Sequence, residues 1–374
     1  MTSVHRGTAH AAGSFAHQAA IHDSDERFLA VALPFVRDGL AAGDPVMVTT
    51  TPANLELLAN ALGRDGRLVD YAETAFLGRR TVERATAFHR YWQRRGPEAP
   101  RGGHVRILAE PVWTGRAPAD VLAWQRMEAA LNLLLRGTNI WMICPYDART
   151  AGSGVLDAAR RTHPWLCEDG AVAAPCPEYA DPAAFIAECD AVPLPQPPAD
   201  SAVARVETLH ALRTFVGGQA SLLGLSRDHA SLLAVAAHEV AAVLGPPVTV
   251  RIWERLGAIV CHLDRRGGRI CDPVAGLRPP GSPAGPAAAS PAGSATDPAR
   301  PANRSVVPAN GSAGPANGAV TGSAIGPAAD SGDGMWIARQ LCDRLDIHHD
   351  LGGCVVQLRV PSARAEESRQ SRKY

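Results

Sequence analysis

Leu232 to Val243, LLAVAAHEVAAV, reads as an apolar helix that carries a single acid, Glu239. A helix of that composition has to be covered, so the chain around it must supply a second layer. Downstream, GDGMWIARQLCDRLDI from Gly332 to Ile347 reads as a Gly-x-Gly-Met-Trp turn leading straight into another helix. Glycines let backbone amides approach a phosphate, and the positive end of the following helix favours an anion. Glu239 on one side, and Gly332 with Gly334 on the other, thus read as opposite walls of a nucleotide pocket.

Between the two lies Gly281 to Asp330, almost entirely Ala, Gly, Pro, Ser and Asn. Such a run cannot bury enough apolar surface to offset its ordering entropy, and disorder is expected. It interrupts a domain rather than separating two, because Asp333 to Val360 adds a helix and a last strand, Cys354 to Val360. Upstream, the same domain opens with a helix over Arg205 to Leu223 and continues, past the Glu239 helix, into strands Val248 to Trp253 and Ala258 to Leu263. The proline-rich run AVPLPQPPAD, residues 191–200, reads as a semi-stiff interdomain linker.

The first half alternates short apolar strands with amphipathic helices. Helices are expected over Asp25 to Ala41, Pro52 to Leu62, Arg79 to Arg94, Pro118 to Leu134, Gly154 to Thr162 and Pro182 to Cys189. Strands are expected over Val46 to Thr50, His104 to Ala109 and Asn139 to Cys144. This pattern predicts an α/β fold, a parallel sheet with helices on both faces. Ligands of such sheets bind at the carboxyl ends of strands. Glu110, Trp113, Cys144, Tyr146 and Asp147 follow strands, which brings them toward one cleft, with His17 and His163 nearby. Nothing in the spacing of the histidines demands a metal, and no metal is expected.

Composition narrows the chemistry. Lys+Arg 37 against Asp+Glu 37 leaves no overall field to recruit nucleic acid or an anionic membrane. Lys373 is the lone lysine, so there is no P-loop, Schiff-base or kinase-type strand lysine. No apolar run reaches the ~20 residues that span a bilayer, and the N-terminus lacks an apolar signal region. Eight cysteines without CxxC pairs read as reduced thiols of a cytoplasmic protein.

Two resemblances add to this reading. Residues 205–360 resemble the histidine-kinase-like (GHKL) ATPase domain in the short form found in anti-sigma regulatory factors of the switch-protein serine-kinase type. The matching residues are Ala237-His238-Glu239-Val240-Ala241-Ala242, the two strands Val248 to Trp253 and Ala258 to Leu263, Asp272-Pro273-Val274-Ala275-Gly276, and Gly332-Asp333-Gly334-Met335-Trp336. The resemblance implies an α/β sandwich of a mixed sheet under helices, with ATP and Mg²⁺ as cofactors. Glu239 would be the catalytic acid that orients water or acts as base. Asp264 and Gly267 would meet adenine, and Gly332 and Gly334 the phosphates. The chain departs from that pattern where an asparagine should ligate Mg²⁺ and Val243 stands instead. The helix then stops at Leu244-Gly245-Pro246-Pro247, and Asp264 lies one residue further from its glycine than in the family. Mg²⁺ would have to rely on phosphate oxygens and water. Binding of ATP and Mg²⁺ is therefore expected to be weak or lost.

Residues 14–190 resemble the MEDS domain, a sensory domain named for methanogen, methylotroph and dichloromethane-regulator proteins. The match rests on Phe15-Ala16-His17, Phe35 to Gly43, Glu110-Pro111-Val112-Trp113, Cys144-Pro145-Tyr146-Asp147 and His163-Pro164. It implies a RecA-like core that senses a small hydrocarbon-type ligand. The chain has no GxxxxGK[ST], which argues against nucleotide hydrolysis in this half.

The expected organisation is a disordered 1–13, a MEDS-like sensory domain over 14–190, the linker 191–200, a GHKL ATPase-type domain over 201–360, and a disordered tail 361–374. The expected role is transcriptional control by partner switching, holding a sigma factor or an anti-sigma antagonist according to ligand state, with a possible homodimer. An ATP-dependent serine kinase acting on the antagonist is the alternative. A third reading is a ligand-binding sensor whose second domain only dimerises.

Overall fold

A computed structural model describes residues 14–74, 80–168, 173–280 and 331–362. The stretches expected to be disordered, 1–13, Gly281 to Asp330 and all but the first two residues of the tail, lie outside them.

The first layer system is a seven-stranded sheet. In chain order it runs β1 (Ala16–His22), α1 (Asp25–Ala42), β2 (Val46–Thr50), α2 (Pro52–Leu62), β3 (Asp70–Glu73), α3 (Thr81–Arg95) and β4 (Val105–Ala109). It continues through α4 (Pro118–Leu134), β5 (Ile140–Asp147), α5 (Ser153–Thr162), β6 (Trp165–Glu168), β7 (Ala174–Pro175) and α6 (Pro182–Asp190). The strand order is β3-β2-β4-β5-β1-β6-β7, parallel except for β7. One face packs Phe28, Phe35 and Val36 of α1 and Leu58 of α2 against Val48, Leu108 and Ile143. The other packs Phe88 of α3, Met127 and Leu131 of α4 and Val155 of α5 against Ile107, Met142 and Cys144. Each fully buried Phe or Leu contributes roughly 1.5–3 kcal/mol.

Caps fix where helices start above the carboxyl ends of the strands. Ser24 Oγ accepts from the Arg27 amide, and Thr51 Oγ1 accepts from the Asn54 amide with Pro52 at the first helical position. The turns into α1 and α2 therefore sit beside the ends of β1 and β2, where a ligand would approach.

The second system holds β8 (Ala202–Val206), α7 (Leu209–Leu222), α8 (Arg227–Leu244), β9 (Val248–Arg255), β10 (Ala258–Arg266), α9 (Ser331–Leu341), β11 (Arg344–His349) and β12 (Gly353–Pro361). Its sheet, β11-β12-β10-β9-β8, lays one face under the three helices, with Val240, Ala241, Met335 and Ala338 on Val250, Cys261, Val356 and Leu358.

Several elements differ from the sequence reading. Every pairing in this sheet is antiparallel, not mixed. The helix expected over Arg205 to Leu223 begins instead as strand β8. The helix expected through Ile347 stops at Leu341, because Leu345 and Ile347 face the core with a period of two while Arg344, Asp346 and His348 face away. Strand β1, AHQAAIH, has weak strand propensity, yet it is a central strand between β5 and β6 and wholly buried. Gly332 and Gly334 lie inside the first turn of α9, not in a turn before it.

The linker 191–200 is tied down. Gln357, on the sheet face away from the helices, donates to the Pro195 carbonyl at 2.7 Å. At the end of α6, Asp190 takes a bidentate pair from Arg126 at 2.7 and 2.9 Å. Arg126 also donates to the Pro273 carbonyl, and His348 donates to the carbonyl of Asp190. Val274, Leu277 and Trp336 pack with Ala129, Ala130, Phe185 and Ile186, so an apolar cluster joins the two layer systems.

Candidate functional site

The residues singled out in the first half separate into two adjoining places. Glu110, Trp113 and Asp147 line an open cleft of about 450 Å³ at the carboxyl ends of β2, β4 and β5, together with Asp25, Asn54 and Arg149. His17, Cys144, Tyr146 and His163 lie in the interior instead, buried against the α3–α4–α5 layer. Strand alternation divides them: Cys144 and Tyr146 point to one face of β5, Asp147 to the other.

Glu110 follows β4. Its Oε2 accepts from the Thr50 hydroxyl, from the Asn54 amide nitrogen at 2.9 Å and from the Thr51 backbone at 3.4 Å. Its carbonyl is held separately, by the Thr74 hydroxyl at 2.8 Å and by Arg84 Nη2 at 3.1 Å. Asp147 accepts a backbone and two side-chain bonds from Arg149, which also reaches Asp25. Partial burial works against the charge on Asp147, but the hydrogen bonds and charge of Arg149 outweigh it, so the carboxyl titrates below its usual range. The cleft thus presents fixed carboxylates beside an indole.

Trp113 connects the two places. It stacks on Tyr146 with ring centres 6.0 Å apart, Tyr146 meets His163 edge-on at 5.6 Å, and His163 lies 4.0 Å from His17. Behind this ladder, His17 Nε2 is 3.5 Å from Cys144 Sγ and 3.7 Å from Glu128 Oε2. Cys144 Sγ is 3.9 Å and His163 Nε2 is 3.8 Å from the same carboxylate oxygen. One donor atom from each of the four residues lies within 4.8 Å of every other. None is more than 2% exposed.

The outer nitrogens of both rings are engaged. His17 Nδ1 is 3.1 Å from Asn132 Oδ1, and His163 Nδ1 is 2.8 Å from the Ala159 carbonyl. With those N–H groups donated, both Nε2 atoms carry lone pairs aimed into the cluster, and His163 Nε2 has no hydrogen-bond partner among the described residues. Burial pulls His17 down to about 4 and His163 to about 3, so both rings are neutral near neutral pH. Burial likewise pushes the Glu128 carboxyl and the Cys144 thiol up. An unassisted Cys144 is therefore no nucleophile. What the cluster offers is a donor set of two neutral imidazoles, a thiol and a carboxyl group whose charge burial disfavours.

Arg84 of α3 closes the interior side. It is buried, stacks over Phe88 and Trp124, and desolvation lowers its pKa against the field of Glu128 and Cys144. Neither Glu128, Asn132 nor Arg84 is evident from strand-end reasoning. Their signal is a polar residue on an apolar helical stripe: Glu128 and Asn132 are four apart on the buried side of α4, and Arg84 shares a stripe with Phe88.

In the second layer system, Glu239 on α8 is half-buried and faces the first turn of α9. A Cβ built on Gly334 would come within 2.7 Å of Glu239 Oε2. Asp264 lies elsewhere. Leu263 before it enters the helix-covered core, so Asp264 falls on the opposite face of the sheet, near the half-buried end of β10. Gly267 turns with φ +67° and its amide donates to the Gly352 carbonyl, closing the end of the β10–β12 ladder.

Residues 16–164 match the family model described as MEDS: MEthanogen/methylotroph, DcmR Sensory domain. That span runs from just before His17 to just after His163 and contains both the cleft and the cluster. No curated protein matches the chain. Among the described residues, no helix is long and apolar enough to cross a membrane.

Proposed function

We propose that the chain is a ligand-responsive signalling regulator in which the cleft of the MEDS-like half binds a small molecule. The second half, a degenerate GHKL-type domain, then engages a sigma factor or an anti-sigma antagonist by protein contact alone. The observation that carries this reading is the double grip on Glu110. Its carboxylate stands on the cleft wall, while its carbonyl is held by Arg84 of α3. One turn back, at the N-cap of α3, Arg80 Nη1 donates to the carbonyls of Gln340 and Cys342 at 2.8 Å each and of Arg339 at 3.4 Å. They lie in the last turn of α9 and just past its end, where a helix leaves carbonyls without intrahelical partners. A ligand that shifts Glu110 moves the helix that holds α9.

The cleft lining favours a small molecule with hydrogen-bond donors for Glu110 and Asp147 and an apolar edge for Trp113. The residues of the second half do not fit ATP and Mg²⁺. The Glu239 carboxylate stands against the first turn of α9, where a phosphate would sit, and an anion already neutralises that helix end. Val243 supplies no oxygen for a metal, and Asp264 is on the other side of the sheet from Glu239. These observations support protein contact over the kinase alternative.

Calorimetric titration of the full chain with ATP and Mg²⁺ tests this. No saturable heat is expected from a sample shown to be folded. Saturable micromolar binding, lost in Glu239→Ala, would replace the contact-only reading with the kinase reading.

A further inference from the structure

We propose that His17, Glu128, Cys144 and His163 form a four-coordinate site for a zinc-class divalent cation, buried beneath the ligand cleft. The four residues come from β1, α4, β5 and the turn after α5, so the fold rather than local spacing assembles them. Zinc bonds of ~2.0–2.1 Å to nitrogen and ~2.3 Å to sulfur place the donors of a tetrahedral site roughly 3.3–3.6 Å apart. Four of the six donor separations are 3.5, 3.7, 3.8 and 3.9 Å and all six lie within 4.8 Å, so the side chains need only draw inward around an ion.

Three further features belong to a metal site and not to a packed polar core. His163 Nε2 is wholly buried, aimed at the cluster centre and without a hydrogen-bond partner among the described residues, a costly state for an idle side chain. Each histidine is oriented by its other nitrogen, His17 by Asn132 and His163 by the Ala159 carbonyl, and Asn132 is itself fixed by donating to the Thr162 carbonyl at 2.8 Å. The two imidazoles and a thiolate match zinc-class ions, and the single carboxylate is too few oxygens for magnesium or calcium.

Charge balances on uptake. The Cys144 thiol releases its proton to solvent and binds as thiolate, Glu128 binds as carboxylate, and the histidines bind as neutral rings, so two negative donors balance the two positive charges of the ion. Four protein donors leave no open position, so the ion joins β1, α4, β5 and the end of α5 rather than activating water. It would hold Tyr146 and Trp113, and with them the cleft wall, in place.

The probe is Co²⁺ titrated into the full-length chain after chelator treatment. One equivalent should bind with the intense visible bands of tetrahedral cobalt and a near-ultraviolet thiolate-to-cobalt charge-transfer band, and Zn²⁺ should displace it. Zn²⁺ should also raise the thermal midpoint of the stripped chain. Cys144→Ser should remove the charge-transfer band, and His163→Gln should weaken uptake more than tenfold. Cys271→Ser, at the exposed cysteine, should change nothing. No saturable uptake, a six-coordinate spectrum without the thiolate band, or a band that survives Cys144→Ser would overturn the site. The wild-type spectrum decides the matter even where Cys144→Ser does not fold.

Discussion

Replacing Arg80 by alanine should loosen α9 without unfolding the sheet beneath it. The guanidinium is about one quarter exposed and lies over three carbonyls at the end of α9 while its other nitrogens pair with Glu83. A net charge-assisted hydrogen bond is worth about 1.5–3 kcal/mol, and a cation at a helix C-terminus about 0.3–1 kcal/mol. Water can reach a site this exposed and replace part of the interaction, so the loss should be about 1–2 kcal/mol. Native-state hydrogen exchange resolves the effect locally. Amides of Ala338 to Cys342 should exchange roughly 5–30-fold faster, and those of α7 should not change. Arg80→Lys keeps the charge but loses the planar fork, and should recover only part of the protection. Unchanged exchange in α9, or an equal loss across α7, would refute the reasoning.

Other consequences follow from the same contacts. Asp44→Ala leaves Arg106 buried without its 2.8 Å carboxylate partner and should cost about 3–5 kcal/mol in urea unfolding. Gly276 has φ +73°, and an added Cβ would meet the Met335 carbonyl oxygen at 2.6 Å, so Gly276→Ala should destabilise by at least about 1–3 kcal/mol. Gly218→Ala, on an exposed position of α7 with open space around it, should have the opposite sign and stabilise by about 0.5–1 kcal/mol. Burial, together with the charge of Arg251, holds His262 at about 4, below its ordinary 6.5. The unfolded chain then binds the proton first as pH falls, and the folded state loses roughly 3 kcal/mol from this group between pH 6.5 and 4. His262→Gln should flatten the pH dependence over that window in chemical denaturation; an identical slope would contradict the assignment.

Much of the first half is legible because its strands and helices keep their characteristic periods. Glu110 and Asp147 were visible as polar residues at strand ends, and the structure puts both on the cleft. Glu128 was not, because on an apolar helix one acid reads as a surface residue until the opposing strands show what it faces. His17 is legible as a candidate but its direction is not: β1 is a strand by virtue of its neighbours, so its alternation, which sends His17 toward Cys144, has no propensity to announce it. The break after Leu341 is hidden for another reason. No glycine or proline marks it, and the helical stripe of Met335 and Ala338 passes into the alternation of Leu345 and Ile347 without a gap. The distance from Asp264 to its glycine says nothing about the face of the strand it occupies.

The claim that joins the two halves is that the cleft and α9 are energetically coupled through α3. A double-mutant cycle of Glu110→Ala and Arg80→Ala, read as the opening free energy of α9 amides by hydrogen exchange, tests it most directly. Coupling through Arg84 and α3 predicts that the two effects fail to add by more than about 0.5 kcal/mol, although the two side chains make no direct hydrogen bond. Effects that add to within about 0.3 kcal/mol would contradict the account and leave the cleft and the second layer system as independent parts of one chain.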